Sequence, residues 1–238
     1  QTKDFFGALD VDAGTSGGEI KKRYFDLAAQ VRPDKQYNAA DPVTREQADE
    51  VFGYLTVAYS TLSDPAARQK YAEELDAFQA HFERHIAESG RGEPVFMPFA
   101  PEGPDGPKGL DAQLLRRGLD DLDWQRLWVA RDVHTQAIVG HVDLKGDFLR
   151  VGLHRCHLGL GVERPYRRRG LGRRLVGAAV DFARRKDSLA WIDLKVFAHN
   201  AGARALYESL GFVEVGRHAD RFRIDGATVD DVSMALQV

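Results

Sequence analysis

Through residue 88, apolar side chains recur at the spacing of helices that each bury one face. A capping box of Ser16 and Glu19 opens the first long helix, and the basic run Lys21–Arg23 lies largely outside its apolar stripe. A second helix follows, and a third begins with Asp64 as N-cap and Pro65 in its first turn. The apolar stripes are Ile20, Tyr24, Leu27, Ala28 and Val31; Ala48, Val51, Phe52, Leu55, Tyr59 and Leu62; and Tyr71, Leu75, Phe78 and Phe82. The pattern predicts an all-α domain over residues 1–88.

From residue 89 the pattern changes. Residues 89–109 are dense in proline and glycine, as in a linker or exposed loop, although Val95–Met97 within them can form a strand. Beyond them the pattern predicts a helix over Leu110–Leu122, then a strand meander, then strands that alternate with helices. The predicted strands are Arg126–Arg131, Ala137–Leu144, Arg155–Val162, Ala190–Phe197, Phe212–Val215 and Val232–Leu236. This order predicts a second domain over residues 93–238 with a mixed α/β sheet.

Composition agrees with two compact units, since the chain has 238 residues of which 43% are hydrophobic. Residues 1–90 carry a net charge of −6 and residues 91–238 one of +3. Neither part has the basic excess of a duplex-binding module, so we expect no nucleic-acid partner. Cys156 is the only cysteine, which excludes an intrachain disulfide and a cysteine zinc cluster. No apolar stretch is long enough to cross a bilayer, so we expect a cytoplasmic protein with no membrane partner.

The turn after the strand Arg155–Val162 is rich in glycine and arginine and opens a predicted helix. The first amides of a helix lack intrahelical partners and its dipole is positive there, so Gly170 and Gly172 allow a pyrophosphate to approach the backbone. A dinucleotide-binding motif needs a third glycine where this chain has Leu175, and a P-loop needs a lysine that is absent. The predicted binding residues of the turn are Arg167, Arg168, Arg169, Gly170, Leu171, Gly172 and Arg173.

The segment Arg167-Arg-Arg-Gly-Leu-Gly172 follows the pattern Arg/Gln-x-x-Gly-x-Gly/Ala and resembles the acetyl-CoA pyrophosphate loop of the GNAT N-acetyltransferase superfamily. Asn200–Phe212 resembles the second cofactor motif of that family, in which Asn200 contacts the cofactor; as an asparagine it also caps its helix. The resemblance implies a mostly antiparallel twisted sheet flanked by helices, with acetyl-CoA as cosubstrate. It also implies that the backbone of Leu160, Gly161 and Val162 lies on a splayed strand and holds the pantetheine arm.

Acetyl transfer needs a group that takes the amine proton and a group that protonates the leaving thiolate. The resemblance places Tyr207 near the CoA sulfur as the acid, while a core tyrosine with a bonded hydroxyl is the alternative. His157 shares the side-chain phase of Gly161, where related enzymes often have glutamate, and is a candidate base; a structural imidazole is the alternative. Glu163 is a second candidate base that can instead pair with the arginines.

Other polar residues fit weaker hypotheses. Asp143 and Asp193 lie on predicted strands and can contact a cationic substrate, or be solvated or ion-paired. His81 and His85 can share a helix face, but without a third ligand we expect no metal site. On the predicted strand Arg155–Val162 the side chain of Cys156 points to the face opposite that of Gly159 and Gly161. This argues for direct transfer in a ternary complex rather than through an acyl-enzyme.

In the N-terminal domain, Glu19–Tyr24, Ala58–Pro65 and Arg68–Tyr71 resemble the J-domain family. J domains stimulate the ATPase of DnaK-type chaperones through a His-Pro-Asp tripeptide, where this chain has Arg32-Pro-Asp34. Arginine has no hydrogen-bond acceptor and stays charged, so ATPase stimulation is not expected. Docking of a partner through the basic run Lys21–Arg23 remains open, as does the reading of that run as a solvated face.

Together the two resemblances imply an acyl-CoA-dependent N-acetyltransferase. It would move acetyl from acetyl-CoA to a primary amine, on a small molecule or a protein N-terminus, with a J-like domain for partner docking or substrate presentation. The alternative is a chaperone-system adaptor whose GNAT-like unit only binds CoA. The sequence does not choose the acceptor amine, the length of the acyl group or the oligomeric state.

Overall fold

The computed structural model describes residues 4–31, 42–89, 115, 117–224 and 226–238, with the side chains of residues 42–47 and 50 left aside. Two compact units divide the chain between Phe78 and Gln79. The first unit is helical, and the second contains the sheet. None of the helices in the described ranges is long and apolar enough to cross a membrane.

The first unit is built from helices whose ends are capped by their own sequence. Asp4 Oδ1 accepts a hydrogen bond from Gly7 N (2.7 Å), and Ser16 Oγ accepts one from Glu19 N (3.2 Å), as the capping box predicts. Asp64 Oδ1 likewise accepts from the amide of residue 67. The helices are α1 (Phe5–Leu9), α2 (Gly17–Val31), α3 (Pro42–Ser63) and α4 (Pro65–Ala87), the last continuing into the second unit. The segment Arg32–Asp34 lies outside the described residues.

The core of the first unit joins α1 to the three longer helices. Phe5 is buried, its amide donates to Tyr71 Oη (3.0 Å), and the two rings stack with centroids 4.7 Å apart. Tyr24 and Tyr59 form a second stacked pair at 4.5 Å. The fully or nearly fully buried core residues are Phe5, Leu9, Ile20, Leu55, Ala58 and Leu62. The short helix α1 is therefore held by tertiary packing, because five residues are too few for an independent helix.

In the second unit, six strands of the described residues form one sheet in the order β1-β2-β3-β4-β6-β5. Every neighbouring pair is antiparallel except β3 and β4. The strands are β1 (Gln125–Arg131), β2 (Ile138–Gly146), β3 (Arg155–Val162), β4 (Trp191–Phe197), β5 (Val213–Ile224) and β6 (Ala227–Gln237). Helix α5 (Leu171–Arg184) connects β3 to β4, and α6 (Ala201–Glu208) follows β4. The expected mixed, mostly antiparallel sheet with flanking helices is confirmed.

The parallel pairing of β3 with β4 is unusually short. It runs only from the pair Arg155–Trp191 to the pair His157–Asp193, although β3 continues to Val162. The other edge of β3 stays paired with β2 up to the pair Val162–Gly140. From Leu158 on, the backbone of β3 thus presents an edge that no described strand pairs with.

The side chains of β3 alternate between the two faces of the sheet. One set packs in the apolar cluster of α5, whose buried stripe includes Leu175, Val176 and Ala179. This set is Cys156, Leu158, Leu160 and Val162. The other set, Arg155, His157, Gly159 and Gly161, faces the opposite side of the sheet. Cys156 is fully buried, and burial raises the pKa of its thiol to about 12.

Two predicted elements differ from the structure. The helix predicted over Leu110–Leu122 does not extend as far as predicted: Leu115 is helical, but residues 117–122 form bends and turns. Asp121 Oδ2 accepts from Gly118 N (2.6 Å), and this local hydrogen bond competes with helix formation. Strands β5 and β6 are longer than predicted. The prediction missed the added residues because they are largely polar or exposed and lack an apolar alternation.

Removing the hydroxyl of Tyr71 should loosen α1. In Tyr71→Phe the buried amide of Phe5 loses its acceptor at a cost of about 1 kcal/mol, so amide exchange of residues 5–9 should accelerate about fivefold. Hydrogen-exchange mass spectrometry of the full chain measures this. Tyr59→Phe is the matched control, because within the described residues the Tyr59 hydroxyl makes no hydrogen bond. Equal exchange in both variants would show that ring packing alone holds α1.

Candidate active site

The turn that leads into α5 exposes backbone amides. Gly170 adopts φ = +80°, in the left-handed region that favours glycine, and the first helical hydrogen bond runs from Arg174 N to its carbonyl (3.1 Å). The three amides of Leu171, Gly172 and Arg173 precede that bond. They form an N-terminus suited to an anion, as helix starts generally are.

A cavity of about 940 Å³ opens between this turn, the unpaired edge of β3 and α6. It contains most of the cofactor-binding residues predicted from the sequence. Those lining it are Leu160, Val162, Arg167, Arg168, Gly170, Gly172, Arg173 and Asn200, together with Tyr207. Gly161, Arg169 and Leu171 are not among the described lining residues.

The arginines of the turn have different surroundings. Arg167 Nε donates to Val162 O (2.7 Å), and its Nη2 donates to Glu88 Oε2 (2.9 Å). Glu88 also accepts from the amide of Arg164 (2.7 Å), so its carboxylate holds the backbone between β3 and α5. Arg168 is exposed at the cavity. Arg167 therefore shapes the turn, while Arg168 offers charge to a bound anion; Glu88 was missed because nothing near it in sequence signals a site.

On the opposite wall, Asn200 and Tyr207 belong to α6. Asn200 Oδ1 accepts from Ala203 N (3.2 Å), which caps the helix as predicted. Tyr207 is buried, lines the cavity and packs edge-on against Phe212 with centroids 5.8 Å apart. Burial raises the pKa of the Tyr207 phenol, so it keeps its proton at neutral pH.

The two candidate bases lie elsewhere in the second unit. Glu163 is buried, and its Oε1 accepts from His81 Nδ1 (2.8 Å) and from Arg84 Nε (3.1 Å). His157 is exposed on the sheet face that α5 does not cover. Neither residue is among the described residues that line the cavity.

Three histidines cluster beside Glu163. His81 Nε2 and His141 Nδ1 are 2.8 Å apart, and since a carboxylate only accepts, His81 donates to Glu163 and accepts from His141. Burial lowers the pKa of His81, that of His141 to about 3 and that of His85 to about 4, so these rings are neutral at pH 7. The part of the chain that the structure describes contains no group of residues arranged to hold a metal ion. No sequence motif pointed to His141, which is distant along the chain.

Gly161 is required by this cluster. A Cβ at residue 161 would overlap the His141 ring and lie 3.0 Å from His85 Nε2, which itself lines the cavity. The histidines thus occupy the space beside Gly161 that a side chain would fill. Gly161, which was predicted to lie against the pantetheine arm, thus also leaves room for the His141 ring.

Comparison with known proteins identifies both units. Residues 97–212 match the family model described as "Acetyltransferase (GNAT) family", and residues 4–72 match the DnaJ domain model. The chain thus combines a DnaJ domain with a GNAT acetyltransferase domain. A GNAT-family acetyltransferase from Streptococcus pneumoniae is 20% identical, with a TM-score of 0.59 over 70% of this chain and 95% of that one. A GCN5-related N-acetyltransferase from Kribbella flavida is 21% identical, with a TM-score of 0.54 over 70% and 93%. These likenesses show the fold.

The curated relatives match the N-terminal unit. The chaperone protein DnaJ of Deinococcus proteolyticus is 44% identical over 69 residues, which cover 29% of this chain and 20% of the relative. The DnaJ of Fusobacterium nucleatum subsp. polymorphum is 37% identical over 91 residues, or 38% and 22% of the two chains. The matched part spans about a fifth of the length of these relatives.

Substituting Gly161 should destabilise the second unit. In Gly161→Ala the new methyl group displaces His141, at a cost of about 1 to 3 kcal/mol. Gly177→Ala in α5 is the matched control: nothing lies within 4 Å of its added methyl, so it should stabilise by about 0.5 to 1 kcal/mol. Tryptophan fluorescence during denaturation is the measurement, because all three tryptophans, at 124, 128 and 191, lie in this unit. Shifts of the same sign in both variants would contradict the argument.

Proposed function

We propose that this protein transfers the acetyl group of acetyl-CoA to a primary amine, on a small molecule or a protein N-terminus, within a ternary complex. The observation that carries the proposal is the cavity between the unpaired edge of β3 and α6, which brings the anion-binding turn and Tyr207 together. A family model of acetyltransferases over residues 97–212 supports it.

The cavity suits the parts of acetyl-CoA. The pyrophosphate would lie at the free amides of residues 171–173, with Arg168 and Arg173 adding positive charge. The pantetheine arm carries amide groups. The edge of β3 at Leu160–Val162 can exchange hydrogen bonds with them through those backbone groups that neither β2 nor Arg167 engages. Asn200 lies beside the same cavity at the start of α6.

The chemistry follows from the state of the side chains. The amine nitrogen attacks the thioester carbon, the carbon–sulfur bond breaks, and the Tyr207 hydroxyl gives its proton to the thiolate. Its raised pKa keeps that proton available at neutral pH. An acyl-enzyme on Cys156 is disfavoured because its thiol is buried against the core and remains protonated.

For the DnaJ domain we propose partner docking or substrate presentation, with a DnaK-type chaperone as the partner class. Lys21 and Lys22 are exposed on α2, whereas Arg23 is held by Asp10 through a 2.8 Å ion pair. The available docking charge is therefore that of the two lysines. Arg32 stands in the position of the family's histidine, so we propose that docking occurs without ATPase stimulation.

Binding of acetyl-CoA to the full chain should be measurable by calorimetry and sensitive to salt. Arg168→Ala should weaken the Kd about tenfold and reduce its dependence on ionic strength, because a charge-assisted contact to phosphate is lost. Arg184→Ala is the control, as it removes the same charge at the far end of α5.

Two results would contradict this assignment. Equal effects of Arg168→Ala and Arg184→Ala would mean that only net charge attracts the cofactor. No binding of acetyl-CoA or CoA to the unaltered chain would make the GNAT domain a scaffold and would contradict the proposed transfer, whereas binding without transfer would favour the adaptor alternative.

Tyr207→Phe tests the acid role. The variant should bind acetyl-CoA with unchanged affinity, since the ring and its packing against Phe212 remain, but kcat should fall about 100-fold because the thiolate leaves unprotonated. Steady-state release of free thiol, followed with a disulfide reagent, gives kcat. An unchanged kcat would remove Tyr207 from the reaction.

A further inference from the structure

Two glycines of β3 make room for two polar side chains of β2. In the strand register Asp143 is opposite Gly159, and His141 is opposite Gly161. A Cβ at residue 159 would overlap Asp143 Oδ1 and lie 3.1 Å from its Cγ. The carboxylate of Asp143 therefore lies directly over the Cα of Gly159, in the space that any other residue would fill.

Asp143 lies beside the part of β3 that follows the end of its pairing with β4. Gly159 follows the last residue pair between β3 and β4 by two residues and directly precedes Leu160, which lines the cavity. Leu160 lines the cavity from the α5 side, while Gly159 and Asp143 face the other side of the sheet. Asp143 is not itself among the described residues that line the cavity. The cofactor and the Asp143 carboxylate would thus lie on opposite sides of β3, and an amine that reaches the thioester from the Asp143 side would meet this carboxylate.

We propose that Asp143 is the catalytic base that takes the proton of the acceptor amine. This assignment rests on the proposed acetyl transfer and deepens it. Asp143 differs from both bases predicted from the sequence. The Glu163 carboxylate already accepts hydrogen bonds from His81 and Arg84. His157 lies on β3 two residues before Gly159, the glycine that the Asp143 carboxylate contacts.

The environment of Asp143 suits a base that works near neutral pH. Burial raises the pKa of its carboxyl, and Lys145, whose Nζ is 3.7 Å from Oδ2, moderates that rise. The other charged or titratable groups on this face of the described strands include His141 on β2, Arg155 and His157 on β3, and Asp193 on β4, which is ion-paired with Arg155. From α4, His81 and His85 pack against His141. From β1 the register partner is Leu127, which carries no charge. A carboxylate with a raised pKa accepts a proton from an amine more readily than an ordinary aspartate does.

Every proton that moves in one turnover has a donor and an acceptor. The neutral amine nitrogen forms a bond to the thioester carbon, the carbon–sulfur bond breaks, and the electron pair leaves on sulfur. One N–H proton passes to the Asp143 carboxylate, and the thiolate takes the proton of Tyr207. Asp143 then releases its proton to solvent and the Tyr207 phenolate regains one, so the products are the amide and free CoA thiol.

The test compares Asp143→Asn with the full-length parent chain, using acetyl-CoA with a diamine and a short peptide with a free N-terminus as acceptors. In the parent, kcat/KM should rise with pH through the raised pKa of Asp143. In the variant, kcat/KM should fall about 100-fold and this rise should disappear, while the Kd of acetyl-CoA changes by less than twofold. Asp181→Asn, which alters an exposed carboxylate of α5, should leave both unchanged.

Stability gives a readout independent of activity. Because burial raises the pKa of Asp143 in the folded chain, the fold prefers the neutral carboxyl, and parent stability should fall as pH rises through that pKa. Asp143→Asn should lack this fall and melt no lower than the parent at pH 7.5. Gly159→Ala is a second variant: its methyl group displaces the carboxylate, so kcat should fall although Asp143 is retained.

The possible failures are distinguishable. Retention of the rate and of its pH dependence in Asp143→Asn, or loss of that dependence in His157→Gln instead, would overturn the assignment of the base. A lower melting temperature with weaker acetyl-CoA binding in Asp143→Asn would make the residue structural. If the parent chain binds no acetyl-CoA, or binds it and acetylates neither acceptor, the proposed function itself fails.

Discussion

The early end of pairing between β3 and β4 is the constraint on which the second unit depends. After His157 and Asp193 the two strands no longer pair, and the backbone groups of β3 that point toward β4 must find other partners. Buried backbone groups without partners are costly, so this edge favours a ligand that carries amides of its own. The cavity, the turn into α5 and Tyr207 all lie around the opening that results.

Around that opening, small residues and buried polar groups depend on each other. Gly159 and Gly161 leave space for Asp143 and His141, and the histidine is hydrogen-bonded through His81 to Glu163. A buried polar group is tolerated when its hydrogen bonds are complete, and the His81 ring meets that condition through both of its nitrogens. Asp143 is different, because its burial favours the protonated form over the charged one. Such a cost is common where a group is kept for its chemistry rather than for stability.

The same contacts explain where the chain divides. Composition changes at residue 89, yet the compact units separate between Phe78 and Gln79, inside α4. The last turns of this helix carry His81 and His85, and Glu88 follows just beyond them. Their partners are Glu163, His141 and the turn at Arg164–Arg167, so these residues belong to the second unit by contact although the apolar stripe of the helix continues through them.

Local chemistry sufficed for the helices capped by Ser16 and Asp64, for the strand Arg155–Val162 and for the turn at Gly170, because caps, alternation and glycine conformations act within a few residues. It failed at residues 117–122, where the side chain of Asp121 accepts a hydrogen bond from an amide. It also failed along the hairpin of β5 and β6, whose added residues show no regular apolar alternation although Ile224 and Val229 pack against Phe197. The sequence by itself thus determined the two domains and predicted an anion-binding turn and Tyr207 as a candidate acid. Only the tertiary structure decided that His141 and Asp143 lie beside β3 and that Glu88 holds the turn after it, because strand register and the end of α4 bring them there from distant parts of the chain.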